Sequence, residues 1–363
     1  MNLFVNGPVV SENYQKLSAA LSGSGINVVS ASEDFDFALP LFDPITQDCA
    51  DIAAAKGKYF PDTGFITKSG LEAKCLDSGV SMLPKTALTI ENLRACTHSH
   101  FIIKPDLWSG AKHPYPYVYR IFTTSQIEDV VSMIGSNSTD GFIIQNAYID
   151  DSTQETYLLF VDGVVNGSGV VHFNPIADKW MLNTSADDGH ITHKAGIREV
   201  SSNDKFGFKA KVLKLLQDNN IRNTPFKAQA IVDVPNSQCF ITDWSWGIMP
   251  YTHLNVLTPD YLVDHLKFAY DMSAIVTKPI DKAIVMHHIA FPKEDWNLST
   301  EDFDQKYAAA SQTAGVKRAE QLRSRGSVQP TVSNFYVLFG VAADSVDDGK
   351  TKLTAFQSQA SSV

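Results

Sequence analysis

The chain begins with a strand, a helix and a second strand, and this order restricts its fold more than any other feature of the sequence. Residues 2–5 form a short apolar run that ends at the Asn-Gly-Pro turn of 6–8. Apolar side chains then recur three or four residues apart over 10–22, which predicts a helix with one buried face. Residues 26–29 resume as an apolar strand. Such units favour a parallel sheet, so the chain is expected to open with an α/β unit.

The rest of the chain predicts a mixture of helices and strands, an α+β arrangement. Further helices are predicted near 46–56, 68–78, 90–96, 125–134, 204–219, 258–275 and 301–325. Strands are predicted at 101–105, 117–122, 141–149, 155–163, 164–174, 282–291 and 334–343, and 227–244 as two strands around the turn 235–237. Asp162-Gly163 has the composition of a tight hairpin turn, and 344–363 is polar enough to predict a frayed end.

The chain has 363 residues, which is more than a single hydrophobic core usually accommodates, so several lobes are expected. Four segments follow from the predicted elements: an N-terminal βαβ domain (1–66), a first lobe (67–142), a second lobe (143–275) and a C-terminal strand-helix-strand extension (276–363). Two roles are open for the extension: oligomerisation, or binding of a macromolecular substrate.

Charge and composition exclude some classes of partner and site. Forty acidic residues against thirty basic ones give a formal net charge of −10, which argues against a nucleic-acid partner. Apolar runs are all too short for a membrane span, and 1–10 lacks the features of a signal peptide. The four cysteines show no CxxC spacing, so a reducing, cytoplasmic location is expected rather than a disulfide or zinc framework.

Two common nucleotide fingerprints are absent. The stretch 63–69 contains Lys68-Ser69, but Thr67 stands where a P-loop needs glycine for the backbone to wrap a phosphate. No GxGxxG follows the first strand either.

The order of elements after residue 67 resembles the ATP-grasp family. Lys68 opens a helix that ends at Gly79-Val80 and is followed by Leu83-Pro84, and the strand 101–105 then reads Phe-Ile-Ile-Lys-Pro. The family has a lysine-led helix, a Gly-Val-x-x-Pro segment and a strand that ends in Lys-Pro. The resemblance implies that Lys68 and Lys104 bind the phosphates of ATP.

The second half of the resemblance implies the rest of a site. The strand 142–149 is similar to the hinge whose backbone binds adenine, and it brings Gln145, Asn146 and Tyr148 to the nucleotide. The remaining implied residues are an acid that leads the next strand (Glu155), a Mg²⁺-binding set (Gln229, Asp243 and Ser245) and a basic residue for the transferred phosphate or the substrate (Arg198).

This sequence departs from the family pattern at several of these positions. Gln145 or Asn146, depending on alignment, replaces the hinge acid. Gln229 replaces one metal-binding carboxylate, and Ser245 replaces the asparagine of the acid-x-Asn motif. The loop 106–117, which the family keeps rich in small residues, here carries prolines and aromatic residues, with Lys112 as a further candidate for the phosphates.

The resemblance implies a ligase that uses ATP and Mg²⁺ to activate a small-molecule or peptide carboxylate as an acyl phosphate, which an amine or similar nucleophile then attacks. A catalytically degenerate nucleotide-binding or scaffold protein with the same fold is the alternative, as is an interaction protein without a nucleotide. The residues also have simpler explanations. Lys68, Lys104, Glu155 and Arg198 are compatible with solvent-exposed positions, and Asp243 with a hydrogen-bonded turn.

Overall fold

The computed structural model of the protein describes the chain from residue 1 to 362 with internal gaps. The residues left out are 42–44, 96–100, 108–118, 121–126, 129–130, 133–138, 147, 151–154, 175, 186–190, 199–203, 248–258, 279, 281, 320–333 and 363. Lys112 and most of the predicted loop 106–117 therefore lie outside the described residues.

The N-terminal unit is a parallel three-stranded sheet with two helices. Its elements are β1 (Asn2–Asn6), α1 (Glu12–Leu21), β2 (Asn27–Val29), β3 (Phe37–Pro40) and α2 (Thr46–Ala55). The strand order is β2-β1-β3, and both pairings are parallel, as the opening strand–helix–strand unit predicts. Ser11 caps α1 by accepting a hydrogen bond from the amide of Tyr14.

A second sheet follows, with four antiparallel strands in the order β4-β7-β5-β6. Its elements are α3 (Lys68–Asp77), β4 (Lys85–Ala87), α4 (Ile90–Ala95), β5 (Phe101–Pro105), β6 (Tyr119–Arg120) and β7 (Phe142–Asn146). One face of this sheet is buried by a cluster around Leu93 of α4 and Ile103 of β5. The other face, which carries Lys104, is therefore free to face the next sheet.

The largest sheet in the described residues has ten strands, and neighbouring strands pair antiparallel throughout it. Its strands are β8 (Ile149–Asp150), β9 (Glu155–Val165), β10 (Val171–Phe173), β11 (Ala177–Ser185), β12 (Ile191–Arg198), β13 (Thr224–Asp233), β14 (Gln238–Ser245), β15 (Ala283–Pro292), β16 (Lys317–Arg318) and β17 (Asn334–Ala343). The order is β14-β13-β9-β11-β12-β15-β17-β16, and β8 and β10 also pair with β9. The strands predicted within 276–363 thus continue the sheet of the predicted second lobe.

Helices cover parts of this sheet. They are α5 (Phe208–Asp218), α6 (Pro259–Ala269), α7 (Thr300–Lys306), α8 (Ala308–Ala314) and α9 (Val346–Ala360). In the part of the chain that the structure describes, no helix combines the length and hydropathy that a membrane span requires.

A short segment joins the second sheet to the edge of the largest one. Leu83 donates its amide to the carbonyl of Ile241 at 3.0 Å, and Ile241 donates its own amide to the carbonyl of Ser81 at 3.1 Å. These bonds add 81–83 to the outer edge of β14, just before β4 begins. A segment of the first lobe is therefore fixed to a strand of the second.

The hairpin turn predicted at Asp162-Gly163 is wrong, because β9 continues through both residues to Val165. The chain reverses afterwards, and Gly169 takes a left-handed conformation there. Gly163 instead allows β10 to lie close to β9, since a Cβ at this position would be 2.2 Å from the carbonyl oxygen of His172 on β10.

The single helix predicted over 301–325 is also wrong. It divides into α7 and α8 at Tyr307, whose buried ring packs against Phe291. The left-handed Gly315 ends α8, after which the chain pairs with β17 as β16.

The frayed end predicted over 344–363 is a helix. Ser345 caps α9 by accepting a hydrogen bond from the amide of Asp348. The apolar residues Leu353, Phe356 and Ala360 lie three or four apart and are buried against β15 and β17. The polar residues between them mask this period in the sequence.

Candidate functional site

Lys68 and Asp243, which the sequence separates by 175 residues, form an ion pair. Lys68 is the first residue of α3, and Thr67 caps that helix by accepting a hydrogen bond from the amide of Gly70. Asp243 lies near the end of β14. The Nζ atom of Lys68 is 2.8 Å from Oδ1 of Asp243, and only 5% of the Lys68 side chain is exposed. The implied phosphate ligand and the implied metal ligand are thus in direct contact.

Lys104 lies close enough to this pair to be affected by both charges. It is half-buried on β5. Burial, together with the nearby Lys68 charge, lowers the pKa of Lys104 to about 8, although Asp243 and Asp106 oppose this shift. The structure therefore brings together three of the residues named from the sequence.

The carboxylate of Asp243 stays ionised in these surroundings. Burial by itself would raise its pKa, but the charges of Lys68 and Lys104, the hydrogen bond from Lys68 and the charge of Lys227 hold it below the usual value. Its Oδ1 also accepts a hydrogen bond from the amide of Trp244 at 3.0 Å. Asp243 is therefore a fixed negative charge surrounded by ammonium groups.

The two other residues implied for a metal lie next to Asp243. Gln229 on β13 is directly opposite Asp243, and opposed residues of an antiparallel pair share a face. Ser245 is two residues further along β14, and its hydroxyl accepts a hydrogen bond from the amide of Gly247 at 3.1 Å. Within the described residues, no group of three or more His, Cys, Asp or Glu side chains could hold a metal.

The chemistry of this donor set can be compared with the needs of Mg²⁺. Mg²⁺ prefers oxygen ligands and commonly uses one or two carboxylates together with substrate phosphates. Asp243 supplies one carboxylate, Gln229 an amide oxygen and Ser245 a hydroxyl. The set fits a cation that arrives with phosphates, and it is too weakly charged to retain a cation without them.

The residues implied for the adenine hinge lie at the end of β7 and beyond. Gln145 is buried and donates from Nε2 to the carbonyl of Leu83 at 3.2 Å, the residue that also bonds to β14. Asn146 is half-buried and hydrogen-bonds the hydroxyl of Tyr148. The Tyr148 ring stacks on Phe240 with centroids 5.5 Å apart.

An apolar patch adjoins the hinge. It consists of Leu83, Tyr148, Leu158, Phe160, Ile231 and Phe240. Gln229 pairs with Phe160 across β13 and β9, so the patch and Asp243 share one face of the ten-stranded sheet.

Glu155 and Arg198 are described at the level of the backbone. Glu155 begins β9 and pairs with Asp150 and Leu182. Arg198 ends β12 and pairs with Ile284, four strands away from β14. Their roles at the site stay predictions.

Comparison of the sequence with protein-family models and with curated proteins finds no match. Solved structures do match. An N5-carboxyaminoimidazole synthase from Aspergillus clavatus, in complex with ADP and 5-aminoimidazole ribonucleotide, has a TM-score of 0.68 at 12% identity, covering 100% of this chain and 99% of that chain. An L-amino acid ligase from Bacillus licheniformis has a TM-score of 0.62 at 12% identity, covering 99% and 97%. A phosphoribosylglycinamide synthetase from Anaerococcus prevotii has a TM-score of 0.57 at 11% identity, covering 98% and 97%.

These proteins are ATP-grasp ligases. The chain has the ATP-grasp fold. The fold expected from the order of weak motifs is confirmed, and the likeness is wider than that order implied. It extends over the N-terminal unit and over 276–363 as well.

Two residues beside Lys68 and Lys104 were not singled out from the sequence. Lys85 on β4 pairs with Gln145, and its Nζ lies 2.9 Å from the hydroxyl of Ser69 and 3.3 Å from Glu72. Asp106 follows β5 and accepts two hydrogen bonds from Ser69. Lys85 directly follows the Leu83-Pro84 of the motif, which is the signal that could have drawn attention to it. Asp106 carries no comparable signal.

Proposed function

We propose that this chain is an ATP-dependent ligase that activates a carboxylate as an acyl phosphate for attack by an amine or a similar nucleophile. The observation that carries the proposal is the convergence of Lys68 and Lys104, from separate elements of the first lobe, on Asp243 of the second. Structures with the same fold include one in complex with ADP and one named as an L-amino acid ligase.

The apolar patch is the proposed binding site of the adenine ring. The aromatic and aliphatic side chains of the patch on β9 and β13 can pack against the faces of the adenine ring. The hinge backbone after Gln145 supplies polar groups at one end of the patch. A nucleotide oriented in this way directs its phosphates along the same sheet face toward Asp243, since Gln229 connects the two regions.

Lys68 and Lys104 are the proposed phosphate ligands. An ammonium group is a compact charge that suits phosphate oxygens, and phosphoryl transfer depends mainly on positioning and charge neutralisation. Both lysines approach from the first lobe, and their burial reduces competition from water.

Asp243, with Gln229 and Ser245, would hold the Mg²⁺ that accompanies ATP. When bound, the cation neutralises charge on the phosphates. The carboxylate oxygen of the substrate attacks the γ-phosphorus of ATP. The bond between the γ-phosphorus and the oxygen that bridges it to the β-phosphate then breaks, which yields an acyl phosphate and ADP. A nucleophile then attacks the acyl carbon, inorganic phosphate leaves, and the nucleophile loses a proton.

The substrate is proposed to be a small molecule or peptide bound between the N-terminal unit and the C-terminal lobe, with lobe borders near 66, 142 and 275. A cytoplasmic location is also proposed, because the spacing of the four cysteines in the sequence does not indicate a disulfide framework.

Thermal unfolding with and without ATP and Mg²⁺ tests the nucleotide site. A ligand at about 100 times its Kd adds about 2.7 kcal/mol to the free energy of unfolding. Lys104→Ala should remove most of this gain, whereas Lys278→Ala, at an exposed ion pair with Asp260, should keep it. The absence of any stabilisation of the unmutated protein would refute the proposal.

A catalytically degenerate nucleotide-binding or scaffold protein is the second candidate. The observation in its favour is that Asp243 is the single carboxylate among the three residues implied for the metal. ADP release over a panel of carboxylates and amines separates the two. Stabilisation by ATP without ADP release would favour the degenerate protein.

A further inference from the structure

The ammonium group proposed to bind phosphate is already occupied. Lys68 is nearly inaccessible to water, and Asp243 is its close partner at 2.8 Å. A phosphate that binds Lys68 must compete with this carboxylate for the ammonium hydrogens. Binding of a nucleotide here is therefore an exchange of partners and not the filling of an empty site.

The exchange leaves a charge behind. The Asp243 side chain is 42% exposed, so water solvates part of the charge that Lys68 leaves behind, and the unsolvated part remains a cost. Once Lys68 has turned to a phosphate, the carboxylate of Asp243 faces that phosphate with a like charge. Lys104 and Lys227 lower this cost by their positive charges, but the charge of Lys104 would be shared with the nucleotide.

A divalent cation removes the conflict. It neutralises part of the phosphate charge and gives Asp243 a new positive partner in the place of Lys68. Gln229 stands directly opposite Asp243 and is neutral, so it neither repels a phosphate nor attracts a cation by charge. Of the three residues implied for the metal, Asp243 is therefore the one whose charge makes nucleotide binding depend on the cation.

We propose that the Lys68–Asp243 ion pair is a specificity determinant, through which the site rejects cation-free nucleotide and accepts nucleotide that carries a divalent cation. The inference rests on the proposed nucleotide site and adds to it the form of the ligand. By linkage, the factor by which Mg²⁺ improves ATP binding equals the factor by which ATP improves Mg²⁺ binding, and Asp243 carries this coupling.

The proposal predicts opposite changes from one substitution. In Asp243→Asn, Lys68 has no carboxylate at position 243 to leave, and that carboxylate no longer faces the phosphates. Cation-free ATP should therefore bind this variant more tightly than it binds the unmutated protein. ATP with Mg²⁺ should bind no more tightly than before. A carboxylate that neither pairs with Lys68 nor faces the phosphates would not improve binding of cation-free ATP when it is replaced.

Isothermal titration with ATP, in the presence of Mg²⁺ or of EDTA, measures both affinities on the full chain. For the unmutated protein we expect EDTA to weaken binding by at least about tenfold, and for Asp243→Asn by less than about threefold. In the variant, cation-free ATP should bind about tenfold more tightly than in the unmutated protein. Asp344→Asn, which removes the acid of the exposed pair with Lys282, is the matched control and should behave as the unmutated protein does.

Cation-independent binding of ATP to the unmutated protein would overturn the inference while leaving the nucleotide site intact. So would a variant that binds cation-free ATP no more tightly than the unmutated protein does. Asp243→Ser serves as a second variant if circular dichroism shows that Asp243→Asn does not fold. An absence of ATP binding under every condition would instead overturn the proposed function along with this inference.

Discussion

Asp106 holds Ser69 by two hydrogen bonds, one from the Ser69 amide at 2.9 Å and one from the Ser69 hydroxyl at 2.8 Å. The Asp106 carbonyl also accepts a hydrogen bond from the amide of Lys68 at 2.9 Å. The end of β5 is thereby fixed to the first turn of α3. Because Lys104 is the last residue but one of β5 and Lys68 begins α3, these bonds determine the spacing of the two proposed phosphate ligands.

Asp106→Ala should reduce both stability and nucleotide affinity. The loss of a side chain that bonds an N-terminal helix amide costs about 1–2 kcal/mol in the free energy of unfolding. We also expect the Kd for ATP to rise about tenfold, because the two lysines lose their common support. Ser345→Ala removes the cap of α9 and is the matched control, with a similar stability loss and an unchanged Kd. Equal Kd values for both variants would contradict a positioning role for Asp106.

Gly70→Ala should destabilise the protein, although alanine ordinarily favours a helix over glycine. A Cβ on Gly70 would lie 2.1 Å from the carbonyl oxygen of Gly64 and 2.7 Å from Oγ1 of Thr67. We expect a loss of about 1–3 kcal/mol on denaturant unfolding, together with weaker ATP binding, since the first turn of α3 must move. Gly349→Ala meets Val285 on the far part of the ten-stranded sheet and should lower stability alone. A stability gain in Gly70→Ala would show that the close approach is absent.

ATP affinity should fall as the pH rises through about 8. The pKa of Lys104 is lowered to about 8, chiefly by burial, so the ammonium form is complete well below this pH and is lost above it. Because the ammonium form binds phosphate, we expect the Kd to rise about three- to tenfold between about pH 7 and 9. Lys104→Arg keeps its charge throughout this range and should remove the dependence. A profile that is equally steep in Lys104→Arg would assign the titration to another group.

Arg318→Met should weaken the junction between α1 and β16. The Arg318 side chain is 6% exposed, and its guanidinium contacts Glu12 at 3.1 Å and Asp304 at 2.9 Å. Because both carboxylates are partly exposed, we expect a loss of about 1–3 kcal/mol in the free energy of unfolding near neutral pH.

The same variant should show a pH-dependent difference from the unmutated protein. Burial alone would raise the pKa of Glu12, but the hydrogen bond from Lys16 and the charge of Arg318 hold it below the usual value of 4.5. A lowered carboxyl pKa contributes stability that is present above 4.5 and is lost as the pH falls through the folded-state value. Chemical denaturation should therefore show the two proteins converging in stability toward about pH 3. A constant difference over this range would exclude Glu12 as the relevant partner.

Much of the fold follows from local patterns. The spacing of apolar residues predicts α1, the composition of 101–105 predicts β5, and the turn at 235–237 separates β13 from β14 as expected. In α1 the periodic residues Leu17 and Leu21 are buried, as the pattern predicts, whereas Val10 at its start lies before the helix and is 88% exposed.

The errors arise where a long-range contact overrides a local signal. Asp162-Gly163 has the composition of a turn, yet the glycine allows β10 to approach β9 closely. The polar segment after residue 344 forms a helix because three apolar residues find a surface on β15 and β17. In both places the deciding partner is another part of the chain, which local composition does not reveal.

For the candidate site, the sequence alone establishes the residue types and their order along the chain. Two lysines at the start of a helix and the end of a strand, followed by one acid near the end of a later strand, are legible without a structure. The contact of Lys68 with Asp243, the hydrogen bonds from Ser69 to Asp106 and the apolar patch on the same sheet face as Asp243 become visible in the folded chain. The reason is physical: secondary structure is governed by neighbouring residues, whereas contact between residues 175 positions apart depends on how two sheets pack.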